Sequence, residues 1–416
     1  MLTIPEKPVI VKNKDFQTII VRVMFPYQEK DEDLTKLTML PNMLMYMNNK
    51  YPTESEFQTN RKKKYILNLN CSKMVVGTSM CLCFNLVIPD AEALGFDNFD
   101  EQFEFFSEMI YNPKVKNGGF DEFEVNRELK NLKLGIENGL KDIRVYHNVR
   151  GLELVDDEGI LSRTVHNHCQ QLKEVTKENL YELYLDVINK YRPAIFVFGN
   201  IDEKRINELA NKYLYKNKEA LIKFENEYNH FLKVRDNVQI VCEKKDFKDS
   251  AISLYYKIRD IDESDFTKIS LVKGLLSSLS SRLLNKKLRD ENDLVYASNV
   301  ATYFRFGVFE ITAYINKNSK DIVIEKIKEV MNDLKDPDMI SDYLENIKER
   351  RRIGLIKSLD EKFALLADVV GEKLEVEKRA SARYEEALTV SATDISEFMN
   401  RFVLDTIYFV EEGSHE

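Results

Sequence analysis

Ala194–Gly199 reads AIFVFG and residues 406–413 read TIYFVEEG, two short apolar runs that each close on a glycine. A run of this kind bounded by a turn residue is the signature of a buried strand. Working outward from each run, the same order of elements precedes both. In the first half, residues 17–26 (QTIIVRVMFP) read as a strand. A helical stripe of Leu34, Leu37, Leu40 and Leu44 follows. The alternation over 67–88 predicts two antiparallel strands joined near Ser72 and Lys73, and Phe99, Phe103, Phe106 and Ile110 mark the apolar face of a helix ended by Asn112-Pro113. In the second half, residues 250–258 (SAISLYYKI) read as a strand. Residues 269–288 read as a long helix with Leu271, Leu275, Leu279 and Leu283 in register, and 294–315 as a strand pair. Val323, Ile327, Val330 and Leu334 then mark another helix. A recurrence at roughly 200 residues is a duplicated domain rather than a solenoid repeat. The expected architecture is α+β, with two homologous domains, each a mainly antiparallel sheet with helices packed on one face. Their expected bounds are 1–214 and 238–416, joined by a Lys- and Glu-rich linker over 215–237.

Composition narrows the function classes. The 416 residues are 44% hydrophobic and 31% charged, with a net charge of −9. The two basic runs, 61–64 and 350–352, lie in patterns that solvated faces explain, so neither nucleic acid nor an anionic membrane is an expected partner. No secretory signal and no apolar run of bilayer length is apparent. Five cysteines at irregular spacing do not form a disulfide framework, and a reducing cytoplasm is the expected setting.

The five histidines, His147, His166, His168, His230 and His415, include no pair four residues apart. Neither helical zinc motif, His-Glu-x-x-His or its inverse, is therefore present. His166 and His168 could share a strand face as metal ligands, with Cys81 or Cys83 as a third. The surrounding SRTVHNHCQQLKEVTKENL reads better as a polar loop leading to a helix capped by Thr176. No Gly-x-Ser-x-Gly elbow and no glycine-rich phosphate loop occurs. One other stretch stands out, residues 280–296 (SSRLLNKKLRDENDLVY), where a helix breaks in a polar turn and runs into a strand. Arg289 falls at the helix end and Tyr296 at the strand head. Arg289 could instead cap the helix C-terminus, with Tyr296 half-buried on the strand.

This stretch resembles the second-domain signature of the insulinase/pitrilysin family, in its mitochondrial-processing-peptidase-like branch. There a Ser-Arg-Leu helix runs into Leu-Arg-Glu-x-x-Gly-Leu-Ala-Tyr. Ser281-Arg282-Leu283, Leu288-Arg289-Asp290 and Leu294-Val295-Tyr296 match, with Asp293 in place of the usual glycine. Residues 195–203 (IFVFGNIDE) resemble the strand that closes the family's first domain. The family's His-x-x-Glu-His falls on residues 38–42, where Thr38 and Asn42 stand at the ligand positions and Pro41 at that of the base. The distal glutamate ligand would fall near Gly135, with Glu137 close by. The resemblance therefore implies a chain that binds no cofactor and is no peptidase by itself. It would form half of a clam-shell and pair as a heterodimer with a zinc-bearing homologous subunit. In such an assembly Arg289 and Tyr296 would hold a peptide substrate in trans, such as a ribosomally made precursor, and an extended peptide would add to the strand edge around residues 70–78. A non-enzymatic scaffold of the same fold is the alternative.

Overall fold

The structure, a computed structural model, describes residues 2–28, 30–76, 79–224, 229–277, 283–374 and 376–413. Ten principal strands form two five-stranded sheets. The first contains β1 (Val9–Lys12), β2 (Thr18–Tyr27), β3 (Asn68–Val76), β4 (Ser79–Pro89) and β5 (Ala194–Gly199), in the spatial order β1-β5-β2-β4-β3. The second contains β6 (Gln239–Lys245), β7 (Ser250–Ile258), β8 (Val295–Tyr303), β9 (Val308–Ile315) and β10 (Phe402–Glu412), in the order β6-β10-β7-β9-β8. The two orders are the same order. In each sheet the outermost pair, β1 with β5 and β6 with β10, is parallel and every other pair is antiparallel. The α+β duplication expected from the two closing strands is thus present strand for strand.

Strand-face chemistry explains the layers. In β2, Ile19, Val21, Val23 and Phe25 point to one face and meet Leu37, Leu40, Phe103 and Phe106 from the helices Leu34–Met45 and Phe99–Tyr111. The alternate residues Ile20 and Met24, with Phe196 and Phe198 of β5, bury instead against Leu366, Val369 and Val370 of the helix Lys362–Lys373. In the second sheet Ile252, Leu254 and Tyr256 face the larger helical layer, while Tyr255 and Tyr408 join Leu152 and Val155 of the helix Ile143–Val155. Both faces of each sheet are therefore covered, one by several helices and the other by a single helix. Each single helix comes from the other half of the chain. The compact units are residues 1–136, 164–228 and 361–378, and residues 137–163, 229–360 and 379–416.

Three local expectations are adjusted. The connection between the paired strands falls between Val76 and Ser79, not at Ser72 and Lys73, which lie within the strand and pair with Cys83 and Leu82. Gly77 and Thr78 lie outside the described residues, so the edge expected over 70–78 is described to Val76. The helix expected over 269–288 is described as Phe266–Ser277 and Leu283–Asn285, the second running into a π-turn at Lys286–Asp290. Leu279, Ser280, Ser281 and Arg282 lie outside the described residues, as does His415.

Candidate functional site

In the first unit, Thr38 and Asn42 sit one turn apart on the helix Leu34–Met45. Pro41 is buried in the middle of that helix and cannot donate to the Leu37 carbonyl. Thr38 spends its hydroxyl on the Leu34 carbonyl at 2.8 Å, and Lys73 Nζ on edge strand β3 donates to Thr38 Oγ1 at 3.2 Å. Asn42 Nδ2 donates to Glu128 Oε1 at 2.5 Å. Glu128, not the Gly135 region, is the point at which the helix Glu122–Gly139 meets these positions. Gly135 lies two turns further on. A hydroxyl, a carboxamide and an adjacent ammonium do not fit zinc, which takes imidazole, thiolate or carboxylate and is repelled by a neighbouring cation. Proline at position 41 leaves no side chain that could accept a proton. Sequence reasoning missed Lys73 and Glu128, since neither belongs to a motif and only the packing of β3 and the second helix against the first brings them in.

In the second unit the backbone departs from regularity three times in succession around Arg289 and Tyr296. Lys286–Asp290 forms a π-turn, in which one extra residue is accommodated in a helical turn. Asp293 then adopts φ 49°, a left-handed conformation that glycine takes at lower cost. Its N–H donates to the Arg289 carbonyl at 2.9 Å, and Leu294 N–H donates to the Leu288 carbonyl at 2.8 Å, which closes the turn. Finally, β8 slips register against β9 between Val295 and Ala297, so Tyr296 is the extra residue of a β-bulge. Leu288 and Val295 anchor the turn in the core. Arg289 is exposed, Tyr296 is 62% exposed, and neither side chain has a hydrogen-bond partner among the described residues. Arg289 is not spent on capping, and Tyr296 is not half-buried.

Three histidines, His147, His168 and His230, have close neighbours within their own unit. His168 Nδ1 lies 3.0 Å from the Thr164 carbonyl in the polar segment before Thr176, which caps the helix Lys177–Lys190. Cys81 and Cys83 are buried in β4, and burial pushes the Cys83 thiol up to about 11. Among the described residues no three His, Cys, Asp or Glu side chains converge as a metal site would need. His147 lies beneath the second sheet, 1% exposed, stacked on Tyr408 with ring centroids 4.7 Å apart. Its Nδ1 is 3.5 Å from Ser253 Oγ, which donates to Glu310 Oε1 at 3.0 Å. Residue types suggest a nucleophile triad, but the geometry opposes one. The carboxylate engages the serine instead of orienting the imidazole, and all three side chains are sealed from solvent. Burial holds the His147 pKa down at about 4, so the ring is neutral at pH 7.

Comparison with known proteins agrees with this anatomy. Residues 174–351 match the peptidase M16 inactive domain, a span that contains Arg289 and Tyr296. A Bacillus subtilis (strain 168) protein named probable inactive metalloprotease YmfF is 21% identical over 412 residues, covering 97% of this chain and 95% of the relative. Among solved structures, a conserved protein from Enterococcus faecalis V583 superposes with TM-score 0.87 at 18% identity, over 98% of this chain and 96% of its own. A peptidase M16 inactive domain from Pseudomonas fluorescens superposes with TM-score 0.69 at 13% identity, over 99% and 98%. No helix among the described residues is long and apolar enough to cross a membrane. The matched domain, the full-length relative and the shared α+β fold make this chain similar to the peptidase M16, or insulinase/pitrilysin, family.

Proposed function

We propose that this chain is the substrate-gripping, catalytically incomplete subunit of a two-chain zinc endopeptidase. Its partner is a homologous subunit that carries the intact His-x-x-Glu-His motif, binds the zinc and supplies the metal chemistry. The observation that carries this reading is the turn in the second unit, where a π-turn, a left-handed aspartate and a bulge hold Arg289 and Tyr296 exposed and unpartnered. Strained backbone of this kind persists where a side chain must be aimed. Arg289 would donate to a backbone carbonyl or carboxylate of the peptide, and Tyr296 would donate its hydroxyl to the scissile carbonyl oxygen as negative charge develops there. Among the described residues, strand β3 pairs with β4 on one side only, so an extended peptide can add as a further strand along its outer side over 69–72.

The test is co-expression with a zinc-motif homologue from a neighbouring reading frame. A 1:1 complex that cleaves a peptide, with zinc bound in the partner, is expected. Turnover should fall in Arg289→Ala and in Tyr296→Phe while the complex still assembles. Unchanged cleavage in both variants would leave the scaffold alternative.

A further inference from the structure

Arg22, on β2, is 9% exposed and forms no ion pair with a described carboxylate. A cation this far out of water is costly unless something compensates it. Its Nε donates to Asn85 Oδ1 at 2.7 Å, and Asn85 Nδ2 donates to Asn70 Oδ1 at 2.9 Å. These residues are in register across three adjacent strands, Arg22 opposite Asn85 and Asn85 opposite Asn70. On the far side Arg22 faces Phe196 of β5, which is fully buried and offers no charge. The row therefore runs one way only, from a buried guanidinium to the free edge of the sheet.

Direction fixes what the row can read. A guanidinium is donor only, so it makes Asn85 present its oxygen inward and its NH2 outward. Asn85 in turn makes Asn70 do the same. Asn70 Nδ2 is left as the terminal donor on the last strand, and nothing among the described residues accepts from it. We infer that the edge of the first sheet selects an acidic residue, aspartate or glutamate, at the position of an added peptide strand that falls opposite Asn70. The peptide carboxylate accepts from Asn70 Nδ2, and Arg22 at the head of the row supplies the missing counter-charge. This rests on the reading above that β3 accepts an extended peptide. Opposite charges roughly 10 Å apart near a protein surface correspond to roughly a tenfold preference for a carboxylate over the isosteric carboxamide.

The test uses the full chain and a positional-scanning set of fluorescein-labelled decapeptides, read by fluorescence polarisation. Wild type should favour Asp over Asn, and Glu over Gln, about tenfold at one position. Arg22→Met should bring each of those ratios to about one while still favouring side chains that can accept a hydrogen bond. Asn70→Ala should abolish both preferences yet retain peptide binding, whereas Ser72→Pro, which blocks the strand, should abolish binding. Peptides bound with a flat or apolar profile, or a profile unchanged in Asn70→Ala and Arg22→Met, would overturn the acidic selection and leave the edge reading standing. No binding by wild type, or binding undiminished in Ser72→Pro, would overturn the edge reading and the selection with it.

Discussion

The two units share one strand order but use their edges and their second faces differently. In the first, edge strand β3 pairs with β4 without a register break from Asn68 to Val76, and the single helix on the second face is apolar where it meets the sheet, with Leu366, Val369 and Val370. In the second, edge strand β8 opens with a bulge, and the single helix Ile143–Val155 brings His147 and Gly151 onto a polar row of Ser253, Tyr255 and Glu310. Duplication has kept the order of strands, which main-chain pairing and the two-residue period enforce. Residues at the edges and on the second faces, where fewer constraints meet, have diverged. One edge keeps an unbroken register along its paired length, and the other is interrupted at Tyr296.

Substitutions on the second faces test that contrast most strongly. Leu366→Ala should cost about 3 kcal/mol through the cavity it leaves, as in any apolar layer. Gly151→Ala should cost about as much for the opposite reason, because an added Cβ would lie 2.0 Å from the buried Tyr255 hydroxyl oxygen. Denaturant unfolding measures both, and a Gly151→Ala midpoint equal to wild type would mean that the second helix packs loosely. Next in size, Arg289→Ala and Tyr296→Phe should each lower turnover of the complex about a hundredfold, near 3 kcal/mol of transition-state stabilisation. The thermal midpoint of the isolated chain should not move, since both side chains are exposed.

Acid should weaken the second unit through His147. The ring stays neutral in the folded chain until pH nears 4, but takes its proton near 6.5 once unfolded. Its contribution is therefore present above the unfolded pKa and is lost as pH falls from 6.5 towards 4, by about 2 kcal/mol at pH 5. His147→Gln should unfold with a shallower pH dependence over that interval, and identical slopes would remove His147 from the account. The smallest expected effect is at Asp293. Asp293→Gly should raise stability by about 0.5 to 1 kcal/mol by relieving the left-handed residue, with turnover unchanged. A fall in turnover would show that the aspartate side chain acts in the site.

Much of the candidate site was legible because its signals are local. Arg289 and Tyr296 are bracketed by a helix that breaks in a polar turn, whereas Thr38, Pro41 and Asn42 carry no local signal and were reached only through the family resemblance. The bulge at Tyr296 left no mark in the sequence, since it falls at the very start of β8, before any two-residue alternation has been established that it could interrupt. Lys73 and Glu128 were equally silent. Each is an ordinary charged residue until folding places it beside Thr38 or Asn42.

The sequence by itself determined the α+β class, the duplication and the absence of a helical zinc motif. The first two follow from hydrophobic periodicity, which is written along the chain, and the last from counting histidines and their spacing. Only the tertiary structure decided that each unit takes its second-face helix from the other half of the chain. It also decided that Arg22, Asn85 and Asn70 form one directed row. Both depend on which faces and registers meet across long separations, and no local pattern carries that information.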